Sequence, residues 1–125
     1  MSNEDARADN RKHARFELLD YAMMQGEDKR ENPSLRAVIV DVSLGGLQIR
    51  SRTKFQHGDI YHLAIGRVDS TPLLVSAEVR YSVNVEGSDL YATGFKVQPE
   101  DNAQRIAWVD YVHNVFQSQG EALIY

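Results

Sequence analysis

The sequence predicts a mainly β fold: six short antiparallel strands, closed into a barrel or stacked as a sandwich, followed by one C-terminal helix. Three observations carry this expectation. Apolar runs rich in Val and Ile recur at a spacing of about ten residues, separated by turns of Gly, Asn, Asp and Pro. Within the runs, apolar and polar residues alternate with a period of two. Beyond Pro99 that period switches to the helical one. At 125 residues, with no internal repeat, the chain is long enough for one hydrophobic core. Residues 11–125 are expected to form a single domain, preceded by a flexible tail over residues 1–10 that lacks apolar periodicity.

Phe16 to Met24 is expected to form the first strand, with helix as the competing reading because Leu and Met suit it. Gln25 to Ser34 reads as a loop. Leu35 to Val42, dense in Val and Ile, is the second strand, and Gly46 to Arg52 the third. Gln56 to Asp59 is a turn before the fourth strand, Ile60 to Ile65; Val68 to Pro72 is the next turn. In the fifth strand, Leu73 to Val85, strict alternation places Val75, Ala77, Val79, Tyr81 and Val83 on one face. Leu90 to Val97 is the sixth, and Gly94 within it suggests a bulge or a close approach. In the helix, Asp101 is the expected N-cap, with Gln104 three residues on. Ile106, Val109, Val112 and Phe116 form the expected buried stripe, Trp108 and Val115 flank it, and Gly120 ends the helix. The apolar tail Ala122 to Tyr125 is expected to pack back on the body.

Composition narrows the function classes. A hydrophobic content of 42% with 26% charged residues excludes a disordered chain. The net charge of −4 argues against a polyanion binder, so any anion site must be local. The absence of cysteine removes disulfides and thiolate metal sites. No apolar h-region and no membrane-spanning stretch is visible, so a cytoplasmic protein is expected. His13, His57, His62 and His113 show no metal-ligand spacing, and neither a metal nor a cofactor is expected. No Gly-x-Ser-x-Gly, His-Glu-x-x-His or Walker pattern occurs, and no enzymatic activity is expected. Arg50, Arg52 and Lys54 form an outward basic stripe, read as a solvated face.

The stretch Asp41-Val42-Ser43-Leu44-Gly45-Gly46 carries more chemistry than a hairpin turn requires. It holds a carboxylate, a hydroxyl and two glycines that leave backbone N–H groups uncovered. About thirty residues upstream, Arg11 and Arg15 offer two guanidiniums four residues apart. An Arg-x-x-x-Arg segment ahead of the first strand, followed by Asp-x-Ser-x-x-Gly at the end of a strand, resembles the PilZ domain family, as does the Gly-containing stretch Tyr91-Ala92-Thr93-Gly94-Phe95. The resemblance spans roughly residues 10–118. It implies a six-stranded antiparallel β-barrel that binds the bacterial second messenger cyclic di-GMP, and it assigns the ligand to Arg11, Arg15, Asp41, Ser43 and Gly46.

The chemistry of those residues suits that ligand. Guanine presents O6 and N7 as adjacent acceptors, which a guanidinium matches bidentately, and the same fork matches phosphate oxygens. Asp41 can accept from guanine N1–H and N2–H₂, and Ser43 can accept or donate. Gly46 is expected to allow close backbone approach and an unusual φ, and to keep the ligand surface open. Asn10, Lys12, Gly45 and Arg80 are further candidates. Asn10 precedes the arginine pair, at a position whose side chain in this family influences ligand packing, and Arg80 lies on the outer face of the fifth strand by alternation. The functional expectation is a sensor whose mobile arginine arm orders on binding and signals through a partner protein. The alternatives are a PilZ-like adaptor that binds protein alone, and a single-strand nucleic-acid binder. The last needs a basic groove with exposed aromatics, and the acidic net charge speaks against it.

Overall fold

The computed structural model describes residues 20–26, 35–67 and 70–124. Six strands form a closed antiparallel barrel: β1 (Asp20–Gly26), β2 (Leu35–Ser43), β3 (Gly46–Ser51), β4 (Ile60–Arg67), β5 (Ser70–Asn84) and β6 (Tyr91–Val97). Around the barrel the order is β1-β2-β3-β6-β5-β4, with β4 pairing back onto β1. Closure removes free sheet edges, and it decides for the barrel over the sandwich. A helix, α1 (Asn102–Ile124), follows.

Alternation fills the interior. Ala22 and Met24, Ala37 and Ile39, Leu47 and Ile49, Tyr61, Leu63 and Ile65, Val75, Ala77 and Val79, and Phe95 and Val97 all point inward. Phe55, Tyr61 and Phe95 meet edge-to-face, with ring centroids 5.1–6.1 Å apart, the arrangement aromatic quadrupoles favour. Burial pushes the Tyr61 hydroxyl above its ordinary value of 10.0, and the nearby Asp59 charge adds to the effect.

Two interruptions of the ladder decide which side chains face out. On β2, Ile39 pairs with Ile49 but Asp41 pairs with Gln48, so Val40 is an extra residue. On β5, Val79 pairs with Phe95 but Tyr81 pairs with Gly94, so Arg80 is extra. A one-residue bulge reverses the facing of everything beyond it. The second bulge corrects the expectation for Tyr81 and Val83: both are exposed rather than inward, and Ser82 takes the inner position, hydrogen-bonded to Thr93 at 2.9 Å.

Several expected boundaries also move. Gln25 and Gly26 belong to β1, where they pair with His62 and Tyr61, rather than to a loop. Ser70, Thr71 and Pro72 belong to β5; Pro72 is accommodated because Thr71 and Pro72 together oppose Gly66 in a register shift. Residues 16–19, 27–34, 68 and 69 lie outside the described residues. Gly58, in the expected turn Gln56–Asp59, and Gly87, between β5 and β6, take left-handed φ values of 92° and 80°.

The helix begins as expected: Asp101 Oδ1 accepts from the Gln104 N–H at 2.8 Å. Its buried face is rotated from the expected stripe. Trp108, Tyr111 and Val112 are buried, Ala107, Val115 and Phe116 pack against the core, and Ile106 is exposed. The stripe holds at Val112 and Phe116 and fails at Ile106, because Trp108 and Tyr111, whose polar tips reach barrel acceptors, shift the barrel-facing side toward themselves. Trp108 Nε1 donates to the Leu44 carbonyl at 2.9 Å, and the Tyr111 hydroxyl to Asp20 Oδ2 at 2.8 Å. The helix thus covers the barrel end where β1 begins and β2 ends. It continues through Gly120 to Ile124 instead of stopping there, so Ala122, Leu123 and Ile124 are helical. No helix among the described residues is long and apolar enough to cross a membrane.

Candidate functional site

The Val40 bulge turns Asp41 and Ser43 onto the outer wall of the barrel. Strict alternation from Ala37 and Ile39 would have aimed Asp41 into the core, where an unpaired carboxylate costs several kcal/mol. Instead Asp41 is half-buried on the outside, beside Gln48 in the ladder. Gln48 pairs in turn with Gly94, and Gly94 with Tyr81. Asp41, Gln48, Gly94 and Tyr81 therefore form one row across four strands. One row up the wall stand Ser43, Gly46, Lys96 and Glu78. Between these rows lies a pocket of ≈ 340 Å³, lined on one side by Asp41, Ser43, Gly45 and Gly46 and on the other by Arg80, Tyr81, Gly94 and Lys96.

The turn side of the pocket is fixed by backbone contacts. Leu44 and Gly45 are the two turn residues. The Leu44 carbonyl accepts from Trp108, and the Gly45 carbonyl accepts from the Val97 N–H at 3.0 Å. A Cβ on Gly45 would meet nothing within 4 Å, so that position borders open space. Gly46 allows the expected close backbone approach without the expected unusual φ. Its φ is not left-handed, and a Cβ there would lie 1.9 Å from the Phe95 carbonyl oxygen. The glycine lets β3 approach β6, and it lines the pocket.

The opposite side is built from side chains. Arg80, the bulge residue, is exposed and lies 3.6 Å from Glu78 Oε1. Lys96 is exposed beside Gly46. The Tyr81 ring lies over Gly94, where a Cβ would stand 2.2 Å from Tyr81 Cε2. Its hydroxyl accepts from Gln48 Nε2 at 2.8 Å, and Gln48 Oε1 accepts from Arg50 Nη1. The wall thus offers a carboxylate, hydroxyls and two cations, a donor and acceptor set suited to a small polar anion with hydrogen-bonding edges.

Of the sequence-predicted residues, Asp41, Ser43, Gly45, Gly46 and Arg80 line this one pocket. Asn10, Arg11, Lys12 and Arg15 lie outside the described residues. Sequence reasoning passed over Gln48, Tyr81 and Lys96. Gln48 was legible as outward but not as Asp41's neighbour, which requires the β2–β3 register. Tyr81 was assigned to the wrong face, and Lys96 joins the site only because β6 is inserted between β3 and β5. Among the described residues no group of three His, Asp or Glu side chains gathers to hold a metal ion.

Comparison with known proteins agrees with this architecture. The chain is similar in structure to MrkH of K. pneumonia (9% identity, 86% of this chain and 50% of that chain, TM-score 0.70). It is similar to the PilZ domain of YcgR from Escherichia coli, solved with c-di-GMP (13% identity, 90% of this chain and 95% of that chain, TM-score 0.66). A third likeness is to the Bacillus subtilis inhibitor of motility MotI/DgrA (18% identity, 82% of this chain and 49% of that chain, TM-score 0.61). The chain spans about half the length of the MrkH and MotI chains. No curated protein matches it in sequence. At these identities the likeness is one of fold. The PilZ domain family model matches residues 9–114, a span that includes both the Arg11–Arg15 segment and the Asp41–Gly46 turn. The chain belongs to the PilZ domain family.

Proposed function

We propose that the chain is a cyclic di-GMP receptor domain, comprising residues 11–125, whose ligand sits on the wall between the Asp41–Gly46 turn and the Arg80–Tyr81 bulge. The observation that carries this reading is the pocket itself: three motif positions and two cations from separate strands converge on it. Family membership and the c-di-GMP complexes of the YcgR PilZ domain and MrkH support it. Asp41 accepts from guanine N1–H and N2–H₂, Ser43 bonds the ring or a phosphate, and Arg80 and Lys96 offset phosphate charge.

Arg11 and Arg15 supply the cationic clamp. Asp20 pairs with Ile39, two residues from Asp41, so the chain joins the barrel beside the pocket. Five Cα-to-Cα steps lead from Arg15 to Asp20, a reach of at most about 18 Å, enough for its guanidinium to arrive at the ligand. Ordering of this arm on binding changes the surface offered to a partner protein, through which the domain signals without catalysis of its own. The test is an amide NMR titration with cyclic di-GMP. Shifts at Asp41–Gly46, Tyr81 and Lys96, together with Arg11 and Arg15, are the expected result. Shifts that avoid the Asp41 turn would sink the assignment.

A protein-binding adaptor that ignores nucleotide is the second reading. It is favoured by one observation: Met23, Ala64 and Leu74 align across β1, β4 and β5, with Met23 and Leu74 exposed. Partner binding unaffected by cyclic di-GMP and by Arg11→Ala would select it.

A further inference from the structure

Arg50 does not line the pocket, yet it is connected to it by two hydrogen bonds in series. Arg50 Nη1 donates to Gln48 Oε1, and Gln48 Nε2 donates to the Tyr81 hydroxyl at 2.8 Å. The direction of this chain follows from chemistry. A guanidinium has only donors, so the Gln48 amide must turn its oxygen to Arg50 and its nitrogen to Tyr81. The usual ambiguity of an amide's orientation is thereby removed. The Tyr81 oxygen is an acceptor in this contact, which leaves its own proton to donate elsewhere. Among the described residues it has no second hydrogen-bond partner, and it faces the pocket over Gly94.

We infer that Arg50 is a positioning residue that acts through Gln48 to make the Tyr81 hydroxyl a donor to guanine O6. This rests on the proposed cyclic di-GMP site. Asp41, Gln48, Gly94 and Tyr81 lie in one ladder row, and the Tyr81 ring crosses Gly94 to reach Gln48, the ladder neighbour of Asp41, so a carboxylate acceptor and a hydroxyl donor flank the Gln48 side chain. Guanine carries donors at N2 and N1 next to the acceptor O6, the complementary order. Adenine carries an acceptor at N1 and a donor at the 6-position, so it meets Asp41 with a lone pair. A charged first donor polarises the chain and strengthens its last bond. The row therefore adds base selection at N1, N2 and O6 to whatever the Arg11 and Arg15 guanidiniums read, while Arg80 and Lys96 serve charge.

The test is a double-mutant cycle read by calorimetry with cyclic di-GMP. Tyr81→Phe keeps the ring and removes the hydroxyl; a loss of about 3- to 10-fold is expected, the size of one hydrogen bond. Arg50→Met is expected to lose about 3-fold in the parent and nothing further in Tyr81→Phe, while Arg50→Lys, which keeps a charged donor, retains most of the affinity. Independent losses in the two backgrounds would overturn the relay. On a cyclic dinucleotide carrying 2-aminopurine, which lacks O6, Tyr81→Phe should have no effect; a persisting loss would overturn the O6 assignment. A ligand-free readout separates this idea from the receptor reading. The Gln48 side-chain amide resonances should move in both Arg50→Met and Tyr81→Phe. Resonances that move in neither variant would overturn the relay even where wild type binds; movement with a silent wild type would retain the relay and discard the receptor.

Discussion

Two glycines on neighbouring strands line the same pocket, and they are glycines for different reasons. Gly46 sits where β3 meets β6, and a Cβ there strikes the Phe95 carbonyl at 1.9 Å. Backbone in a closed barrel cannot retreat without breaking its ladder. Gly94 sits where the Tyr81 ring crosses the wall, and a Cβ there strikes the far end of that ring at 2.2 Å. A half-exposed side chain can swing away. The turn side is thus pinned from behind, through Gly46, the Gly45–Val97 bond and Trp108. The Tyr81 side is held by one side-chain hydrogen bond to Gln48. Stability resides in the first side and freedom to adjust in the second.

That contrast can be broken by substitution. Gly46→Ala should cost about 3 kcal/mol or more, as overpacking against rigid backbone does; a urea midpoint equal to wild type would contradict it. Trp108→Phe keeps the ring packing and leaves the Leu44 carbonyl without its donor, an expected loss of about 1–2 kcal/mol. The same variant should raise hydrogen exchange around Ser43–Gly46, and protection that stays at the wild-type level would show that the helix does not hold the turn. Asp101→Ala removes the cap of that helix and should cost about 1 kcal/mol in thermal unfolding. Gly94→Ala should cost about 1 kcal/mol, the size of the displaced Tyr81–Gln48 hydrogen bond, and weaken cyclic di-GMP binding as Tyr81→Phe does. Equal stability losses at Gly46 and Gly94 would erase the distinction.

The smallest expected effect lies in the core, away from the wall. Burial raises the Tyr61 pKa above 10.0, its ordinary value in the unfolded chain. A group with a raised folded-state pKa contributes stability that is fully present below the unfolded value and is lost as pH rises through the folded one. Stability should therefore fall above pH 10, and Tyr61→Phe should flatten that fall. An alkaline profile identical in the variant would assign the loss to other groups.

Much of this molecule was legible in its sequence because period and turn chemistry are local. Ala37 to Val40, the two-glycine turn and Asp101 with Gln104 fixed the hairpin and the helix start. What escaped was non-local. A bulge adds one residue to one strand, and nothing in Val79-Arg80-Tyr81 distinguishes a bulge from continued alternation; only pairing with Phe95 and Gly94 reveals it. The rotated helix face has a similar cause, because Trp108 and Tyr111 were drawn to acceptors on Leu44 and Asp20, sixty-four and ninety-one residues away. The motif turn could be found from its residues, but its neighbours Gln48, Tyr81 and Lys96 belong to the site through strand order alone. The close approach at Gly46 was expected from the residue, but its partner, Phe95, was not.

The central claim is that the wall between Asp41 and Tyr81 holds cyclic di-GMP. The most direct measurement is calorimetric titration of cyclic di-GMP into wild type and Asp41→Ala, with GTP as the control nucleotide. Saturable binding to wild type, absent with GTP and weakened by at least about 10-fold in Asp41→Ala, is the predicted result, the size of a lost charge-assisted hydrogen bond. No heat with wild type at tens of micromolar protein, or an unchanged affinity in a folded Asp41→Ala variant, would contradict it.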